Sequence, residues 1–575
     1  MESKWMLYTK RADFEKISAR FHISPVLARI IINRDIKEED FLLYLKSDLG
    51  LMHDAGRLYG VEDAYNEIMS EIKKGNKIRV VGDYDIDGVC SSYILVKSLR
   101  RFGANADVRI PDRIKDGYGI NDNIINEAAN DKISMIITCD NGIAAHSQME
   151  LAKKLGIKVI ITDHHEVYQE ESKDYLPVAD VVINPKRSEC KYPFKSICGA
   201  LVAYKLMEYM FERLYSKKMY EDSELSDLLE VAAIATIGDV MPLVDENRVL
   251  VKHGLKSLMN TKNLGLRALI KATGMEGKKI SAYSIGFVIG PCLNAGGRLE
   301  NALVALNMFM SESSDEANEY AMHLKELNDE RKDLTAMNVK VAVELAEREY
   351  VDDDILVIYL ENCHESIAGI IAGRVREALG KPTIILTDAF GEDGMIKGSG
   401  RSIESYNMFE ALYEVKDIFE KFGGHHMAAG MSLKKDRLDE FRKRLNENSK
   451  LTKEDFIQKI WIDVPLPFSY ISHDFVRELE KLEPYGNKNE KPKFARKGIK
   501  ILSKNILGKN KNVVKMVLED DGTRLDGIYF CDGEAFFEEL KGNNEIDIIY
   551  YPDINEYGGR ESLQVIITGY KIKNI

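Results

Sequence analysis

The chain has 575 residues, of which 45% are hydrophobic and 30% are charged. It is too long for one hydrophobic core, so we expect three or four domains. This composition is typical of globular proteins and excludes a disordered or fibrous chain. The formal net charge of −13 argues against a nucleic-acid binder with a basic surface throughout, although a local basic groove would suffice for binding.

The N-terminal residues lack the apolar core of a secretory signal, and nowhere do about 18 uncharged apolar residues run together. We therefore predict a cytoplasmic protein with no membrane association. The seven cysteines form no C-x-x-C pair, which argues against both a zinc ribbon and a disulfide framework. We predict that they are reduced and mostly buried.

Residues 1–60 are predicted to be an N-terminal helical segment, and residues 61–310 a first α/β domain. In the latter, short apolar runs at 78–81, 135–138 and 158–162 alternate with helical stretches. Continuous Val/Ile runs separated by helices are what a parallel sheet covered on both faces requires.

Residues 311–350 contain neither Gly nor Pro, so they can form one helix of roughly 60 Å that connects two lobes. A second, smaller α/β lobe is predicted at 351–450. At 456–575 short alternating runs predict an OB-like β-barrel. The predicted fold class is therefore α/β, with two α/β lobes joined by a long helix and followed by a C-terminal β-barrel.

Acidic and histidine side chains follow three predicted strands of the first lobe. In open parallel sheets, ligands bind at the carboxyl ends of the strands, so these side chains can converge on one crevice. A further acidic residue follows an apolar helix. The residues are Asp83, Asp85 and Asp87, then Asp140, then Asp163, His164 and His165, and finally Asp239.

Each of these elements alone would more often be a solvated loop or a helix cap. Brought together, two like charges about 4 Å apart repel by roughly 4 kcal/mol at an effective dielectric of 20. Divalent cations would remove this cost, and carboxylates with an imidazole suit Mn²⁺ or Mg²⁺ better than zinc. Two such ions would activate water and stabilise an in-line displacement at phosphorus, so the sequence predicts phosphoester hydrolysis.

The segments VGDYDIDG, TCDNGI, TDHHE and IGDVMPL resemble motifs I to IV of the DHH phosphoesterases. The DYDxDG form, together with GPCLNAGGR, HESIAGIIAGRV, GSGRS and GGHHMAAG, resembles the RecJ branch of that family. The resemblance runs from about residue 20 into the C-terminal domain. It implies an exonuclease specific for single-stranded DNA, with 5′-to-3′ polarity and a role in DNA repair and recombination.

The resemblance also implies individual roles. The implied metal ligands are Asp85, Asp87, Asp140, His164 and Asp239, with Asp140 as the bridge and Asp83 as a further candidate. His165 would lie beside the scissile phosphate, and Asp163 would hold a histidine in its working orientation.

Other residues match positions that in the RecJ branch contact the strand or its terminal phosphate. These residues are Arg298, Arg374, Ser399, Arg401 and His425. Arg113 and Tyr118 match positions that guide the strand, the arginine through the backbone and the ring through a base. The alternative for each arginine is a surface salt bridge, and the alternative for Tyr118 is a packed loop residue.

Residues 491–515 hold nine Lys/Arg and no Asp or Glu, which predicts a basic groove for single-stranded DNA, with a solvated charged face as the alternative. Two other functions stay open. One is a small-molecule phosphodiesterase or oligoribonuclease of the same family, and the other is a non-enzymatic replication accessory protein. A helicase and a single-strand-binding protein are candidate partners on which the sequence itself is silent.

Overall fold

The computed structural model describes residues 3–215 and 224–572, and the chain divides into two compact units. The first unit comprises Met52–Met241 and His253–Gln458, and the second comprises Ser3–Leu51, Pro242–Lys252 and Lys459–Ile575. Both α/β lobes belong to the first unit. The barrel belongs to the second.

The first lobe is built on a five-stranded sheet in which all pairs are parallel. Its strands, in spatial order, are Asn105–Arg109, Lys77–Val81, Met135–Cys139, Lys158–Thr162 and Val181–Ile183. Every residue of the central strand Met135–Cys139 is buried, as expected for a sheet covered by helices on both faces. Because the strands are parallel, the residues that follow them emerge at the same edge of the sheet.

The helices of this lobe are mostly the connections between its strands. They are Val61–Lys73, Ile86–Arg101, Asp122–Asn130, His146–Lys154, Gly199–Leu214, Glu224–Gly238, Leu264–Ala272, Ala282–Ser284, Gly290–Leu299 and Leu303–Met310. Of the helix Asp245–Leu258, only the part from His253 onwards belongs to the first unit. The residues Ile285–Ile289 form a π-helical turn between two of them. A small hairpin pairs Gln169–Glu170 with Lys173–Asp174.

One helix, Ser314–Glu349, leads into the second lobe and has 36 residues, or about 54 Å at about 1.5 Å per residue. It begins where the Ser313 side chain accepts the N–H of Glu316, an N-cap that satisfies a free backbone donor. The second lobe has a five-stranded mixed sheet with the order Phe419–His425, Ala428–Lys434, Met395–Arg401, Thr383–Asp388 and Leu356–Tyr359. Its helices are Ala368–Leu379, Met408–Glu414 and Leu438–Glu447.

The C-terminal domain is a closed barrel. Its strands, in spatial order, are Phe494–Leu507, Val513–Asp520, Thr523–Phe530, Arg560–Ile572 and Glu545–Tyr557. The first strand also pairs with the last, with Phe494 opposite Tyr550, which closes the sheet on itself. The helices His473–Leu479 and Gly533–Leu540 accompany the barrel, and Ser3–Leu7 pairs with Gln458–Ile462 beside it.

The N-terminal helices Phe14–Phe21, Pro25–Asn33 and Phe41–Lys46 share one hydrophobic core with the barrel domain. Leu27 and Phe41 are fully buried in the same cluster as Phe468 and Phe494. Three short helices cannot bury their apolar faces among themselves, which explains why they pack on a larger domain. The structure thus groups residues 3–51 with the barrel, whereas the sequence predicted a separate segment at 1–60.

Among the described residues, no helix combines the length and the apolar character that crossing a membrane would require. All seven cysteines are free, and six of them are buried. The prediction that the cysteines are mostly buried is therefore confirmed.

Candidate metal and nucleic-acid site

The first acidic loop is shaped by close backbone contact. Asp85 caps the helix Ile86–Arg101, and its Oδ1 accepts the N–H groups of Asp87 at 2.9 Å and Gly88 at 3.1 Å. A Cβ on Gly88 would lie 2.4 Å from the carbonyl oxygen of Asp83, so only glycine fits there. The turn places three carboxylates within one tight loop. Burial, followed by the charge of Asp85, raises the pKa of Asp83 to about 8.

Asp87 is held by a helix N-terminus from a distant part of the chain. Its two carboxylate oxygens accept the N–H groups of Gly199 at 2.6 Å and Ala200 at 2.7 Å, at the start of the helix Gly199–Leu214. Burial, followed by the charge of Asp85, raises the pKa of Asp87 to about 6. A Cβ on Gly199 would lie 2.8 Å from that of Asp140. The sequence analysis did not single out Gly199 and Ala200, since nothing in their local pattern marks them.

Asp140 follows the central strand and adopts a left-handed backbone with φ of 61°, a conformation that Asp tolerates better than most residues. Its Oδ1 lies 3.1 Å from Nε2 of His164. Burial, followed by the charges of Asp87 and Asp85, raises the pKa of Asp140 well above its ordinary value. The next residue, Asn141, ties two strand ends together by donating to the carbonyls of Val81 and Cys139.

Both carboxylate oxygens of Asp163 accept hydrogen bonds, and the bonds include groups of His164 and His165. Its Oδ1 accepts the N–H of His164 at 2.7 Å and Nδ1–H of His165 at 2.8 Å, and its Oδ2 accepts the N–H of Ile143. Although burial acts to raise it, these hydrogen bonds and the charge of His165 lower the pKa of Asp163. Its oxygens are therefore already occupied, which suits a positioning role.

The two histidines differ in charge. Burial, followed by the charge of His165, lowers the pKa of His164 to about 3, so this imidazole is neutral at pH 7, the form that binds metals. For His165 burial acts in the same direction, but the hydrogen bond and the charge of Asp163 raise its pKa to about 9. One ring is thus suited to bind a cation, and the other to face an anion.

Asp239 follows the helix Glu224–Gly238 and completes the cluster. Its Oδ2 lies 3.7 Å from Nε2 of His164. Burial, followed by the charges of Asp87 and Asp85, raises the pKa of Asp239 to about 8. The structure thus brings together the four acidic or histidine-bearing segments that the sequence places far apart.

This donor set fits divalent cations. Ligand atoms lie within 4.8 Å of one another in three groups, namely Asp83, Asp85 and Asp140; Asp87, His164 and Asp239; and Asp140, His164 and His165. Oδ2 of Asp83 and Oδ2 of Asp239 are buried and have no hydrogen-bond partner within the described part of the chain. Burial and mutual repulsion raise the pKa values of these carboxyls, and a cation would reverse both effects.

Tyr118 and Arg113 lie beside the acidic cluster. The Tyr118 hydroxyl donates to the backbone carbonyl of Asp140 at 2.8 Å and lies 3.3 Å from Nε2 of His165. Its ring meets Tyr84 edge-on at 6.4 Å, and the Arg113 guanidinium lies 4.7 Å from the centroid of the same Tyr84 ring. Tyr118 is 54% exposed, so its ring is open to a ligand.

Arg298 belongs to a group of arginines that spans both lobes. Its Nη1 donates to the carbonyl of Ser366 at 2.8 Å. Burial, followed by the positive charges of Arg113 and Arg331, lowers the pKa of Arg298 to about 10. Arg401 contributes in the same direction. Guanidinium groups that repel one another in this way are stabilised when they bind an anion such as phosphate.

Arg331 is a member that the sequence analysis missed. It lies on the long helix Ser314–Glu349 and donates twice to Oδ1 of Asn328, at 3.2 and 2.9 Å. In the sequence it is one of many charges on a polar helix, so nothing distinguishes it. Only the tertiary fold places its charge close enough to lower the pKa of Arg298.

In the second lobe, Arg401 donates to the Ser399 hydroxyl and to the carbonyl of Gly400, both at 2.8 Å. In the sheet, Ala428 lies opposite Arg401 on one neighbouring strand and opposite His425 on the other. The side chains of Arg401 and His425 therefore share a sheet face and lie about 10 Å apart. Nδ1 of His425 accepts the N–H of Met427. Arg374 lies exposed on the helix Ala368–Leu379. Ser399 and Arg401 are therefore in direct contact, and His425 lies further along the same sheet face. The charge of Arg374 contributes to lowering the pKa of Arg331.

The basic residues of 491–515 are partly neutralised in the second unit. Lys493 pairs with Glu490, Arg496 with Asp520 and Asp521, Lys511 with Glu534, and Lys515 with Asp526. Lys491 lies over the Tyr551 ring. Lys497, Lys500 and Lys509 are exposed. The patch is thus less positive than its composition indicates, and its contact with DNA stays a prediction.

Comparison with known families divides the chain in the same way as the fold. The chain matches the DHH family, N-terminal domain, over residues 77–236, the DHHA1 domain over 352–450 and the RecJ OB domain over 462–569. The Bacillus subtilis single-stranded-DNA-specific exonuclease RecJ is 36% identical over 574 residues, which cover 99% of this chain and 71% of that relative. The chain belongs to the RecJ family. The Escherichia coli protein of the same name is 32% identical, with 95% of each chain covered.

Solved structures agree with membership of the RecJ family. The crystal structure of RecJ from Thermus thermophilus in complex with Mn²⁺ superimposes with a TM-score of 0.84 at 25% identity, covering 100% of this chain and 80% of that one. A structure of exonuclease RecJ bound to manganese gives 0.59 at 30% identity, covering 69% and 96%. The predicted resemblance and the predicted fold class of this RecJ-family protein are confirmed.

Proposed function

We propose that the chain is a single-stranded-DNA-specific exonuclease that hydrolyses phosphodiester bonds from the 5′ end with two Mn²⁺ or Mg²⁺ ions. The observation that carries this proposal is the convergence of buried, mutually repelling carboxylates and a neutral imidazole beside a group of arginines. The relatives named as single-stranded-DNA-specific exonucleases support the substrate class. A role in DNA repair and recombination belongs to the same proposal.

The ions would be held by Asp85, Asp87, Asp140, His164 and Asp239, with Asp83 as a further ligand. Asp140 and His164 each belong to two of the three ligand groups. Of the two, only the carboxylate has a second oxygen for a second ion, which supports the role of Asp140 as the bridge. When bound, two divalent cations activate water and stabilise an in-line displacement at phosphorus. The residues themselves fix the geometry, because each carboxylate is positioned by a strand end or a helix terminus.

His165 and Asp163 act on the phosphate side of the site. Asp163 accepts Nδ1–H of His165, so it fixes the orientation of the ring and stabilises its protonated form. A protonated His165 can donate to the scissile phosphate and offset its charge. The Tyr118 hydroxyl, bonded to the carbonyl of Asp140, orients its exposed ring for stacking on a base.

The arginines Arg113, Arg298 and Arg401 would bind the terminal phosphate, together with Ser399. Arg374 and His425 would contact the following backbone. Guanidinium groups bind phosphate oxygens with two donors in a fixed geometry. A pocket for the end of the strand would make the enzyme an exonuclease, because internal phosphates cannot enter it.

A single labelled strand tests the function directly. A long 5′-phosphorylated single strand, labelled at either end, should be shortened from its 5′ end in the presence of Mn²⁺, while duplex DNA and dinucleotides are poorer substrates. Strong preference for dinucleotides would instead indicate a small-molecule phosphodiesterase or oligoribonuclease. A protein inert at millimolar Mn²⁺ would indicate an accessory role.

We expect Arg401→Ala to reduce the preference for a 5′-phosphate over a 5′-hydroxyl end by roughly 10- to 150-fold. This range corresponds to hydrogen bonds to a charged group, each worth about 1.5–3 kcal/mol. Competition between the two strand ends measures the preference. The control is Arg444→Ala, because Arg444 donates to Asp417 on the surface of the same lobe. An unchanged preference in Arg401→Ala would contradict the assignment of the phosphate pocket.

Oδ1 of Asp163 also accepts the backbone N–H of the proposed ligand His164. We therefore expect Asp163→Asn to raise the Mn²⁺ concentration needed for half-maximal cleavage by roughly 10- to 100-fold, the usual cost of losing a residue that positions a metal ligand. The amide would keep the size of the side chain but lose one acceptor. A Mn²⁺ titration of the cleavage rate measures this shift. The control is Asp180→Asn. Asp180 precedes the neighbouring strand Val181–Ile183 and accepts the N–H of Val159, at the opposite end of the strand that Asp163 follows. Equal titration curves for both variants would refute the positioning role.

The proposed substrate indicates which proteins the chain would meet in the cell and where. Single strands arise when a helicase separates a duplex, and in cells they are covered by single-strand-binding protein, so both are proposed partners. We propose the cytoplasm as the location, because a bacterial cell keeps its DNA there and the relatives named above are bacterial.

A further inference from the structure

Two aromatic rings that the proposed mechanism does not use lie exposed and stacked on the first unit. Tyr283 is 68% exposed and Phe287 is 67% exposed. Their ring centroids are 4.7 Å apart and their planes meet at 26°. Paired aromatic surface left in water is unfavourable unless a ligand covers it, so it often marks a binding site.

A widened helical turn holds the two rings together. The π-helical residues Ile285–Ile289 join Ala282–Ser284 to Gly290–Leu299, so 282–299 is one helix. The N–H of Gly290 donates to the carbonyl of Ile285, five residues earlier. Pro291 has no N–H to donate to the carbonyl of Phe287, which explains why the helix widens here. π-bulges of this kind are frequent at functional sites.

The same helix passes the candidate metal site and ends at the arginines. A Cβ on Gly286 would lie 3.7 Å from Cγ2 of Ile237, and Ile237 precedes Asp239 by two residues. Further along, Oδ1 of Asn294 accepts the N–H of Ile86 at 2.9 Å, next to Asp85 and Asp87. The stretch from Phe287 to Arg298 spans about 16 Å at about 1.5 Å per residue.

We propose that Tyr283 and Phe287 form a base-stacking platform for the unpaired strand on the 3′ side of the scissile bond. The proposal rests on the proposed function. With the terminal phosphate at Arg298 and the scissile bond at the metal ligands, the strand continues along this helix to the two rings. Even at about 3.4 Å per nucleotide, the spacing of a fully stacked strand, the platform is reached within roughly the first five nucleotides, and an extended strand reaches it sooner.

Single-stranded DNA fits this surface better than a protein partner does. Each ring offers at most about 250 Å², whereas a specific protein interface buries more than about 1,000 Å². One flat base can cover a ring, and stacking requires no particular sequence. Bases in a duplex have both faces covered by their neighbours, so such a platform also favours unpaired strands.

The full-length double variant Tyr283→Ala/Phe287→Ala tests the platform. Its affinity for a 5′-phosphorylated 20-nucleotide oligothymidylate, measured by fluorescence anisotropy in chelator, should be roughly 5- to 150-fold weaker than that of the wild type. The variant Tyr283→Phe/Phe287→Tyr keeps both rings and should bind as the wild type does. Abasic sites placed in turn at the first eight nucleotides should weaken wild-type binding at the nucleotide that stacks on Tyr118 and at one or two nucleotides further towards the 3′ end. Only at the latter should an abasic site have no further effect in the double alanine variant.

A matched control is Tyr175→Ala. Tyr175 is also exposed and is stacked on His146 at 4.3 Å and 29°, but it lies outside the helix that joins the metal site to the arginines. The variant Tyr175→Ala should leave the affinity for the oligothymidylate unchanged. If the wild type degrades single strands and the double alanine variant binds them as tightly as the wild type does, the platform is wrong and the proposed function stands. The same result is expected if the rings bind a protein partner instead of a strand. A wild type that neither binds nor degrades single strands overturns the proposed function as well.

Discussion

Asp140→Ala is expected to reduce cleavage of single strands by roughly 10²- to 10⁴-fold or more, the range for losing a group that acts on the transition state. Asp140 belongs to two of the three ligand groups, and its Oδ1 lies 3.1 Å from Nε2 of His164. Binding of single strands should survive, because the arginines and exposed rings that contact the strand are separate side chains. Single-turnover cleavage and anisotropy measure the two effects independently.

The control for this variant is Asp63→Ala, which removes an exposed acid from the helix Val61–Lys73 and should cleave normally. Normal cleavage by Asp140→Ala would refute the ligand assignment, and loss of strand binding would refute the separation of the two functions.

The conservative variant Asp140→Asn tests the electrostatic argument without catalysis. The pKa of Asp140 is raised in the folded protein, so its charged form opposes folding at any pH above the ordinary pKa of an aspartate. At pH 7 and without metal, the amide should therefore raise the melting temperature of the first unit, by roughly 1 °C for each kcal/mol of repulsion relieved in a unit of this size. Adding Mn²⁺ should stabilise the wild type more than the variant. A lower melting temperature of the metal-free variant would contradict this account.

Truncation after residue 458 is expected to unfold the N-terminal helices as well as removing the barrel. Leu27, Ile30 and Phe41 are fully buried in a core that they share with residues of the C-terminal domain. Burying one such side chain contributes about 1.5–3 kcal/mol, so losing the shared core removes stability comparable to that of a whole domain. Limited proteolysis should then cut within residues 3–51, and a hydrophobic dye should bind.

The matched comparison removes the N-terminal helices too. A chain of residues 52–458 retains both α/β lobes and loses the exposed apolar helices, so it should bind less dye than residues 1–458. Protease resistance of residues 3–51 in the longer truncated chain would show that these helices fold without the barrel.

The sequence by itself determined the secondary structure that carries the site. Apolar runs such as 135–138 are buried strands because no polar face interrupts them, and Asp83, Asp140 and Asp163 lie just beyond strand ends. Parallel pairing then requires that these residues emerge at one edge of the sheet. The long helix was also predictable, because Ser314–Glu349 contains no residue that breaks a helix.

The tertiary structure alone decided which distant groups complete the site. Gly199 donates to Asp87 across 112 positions, Arg331 adds its charge to the arginine group, and the helices of 3–51 share a core with the barrel. A backbone N–H, a helical arginine and an apolar helix face are common features with no local signature. Their roles depend on which chain segments the fold brings within a few ångströms, since charges and hydrogen bonds act over those distances whatever the separation in sequence.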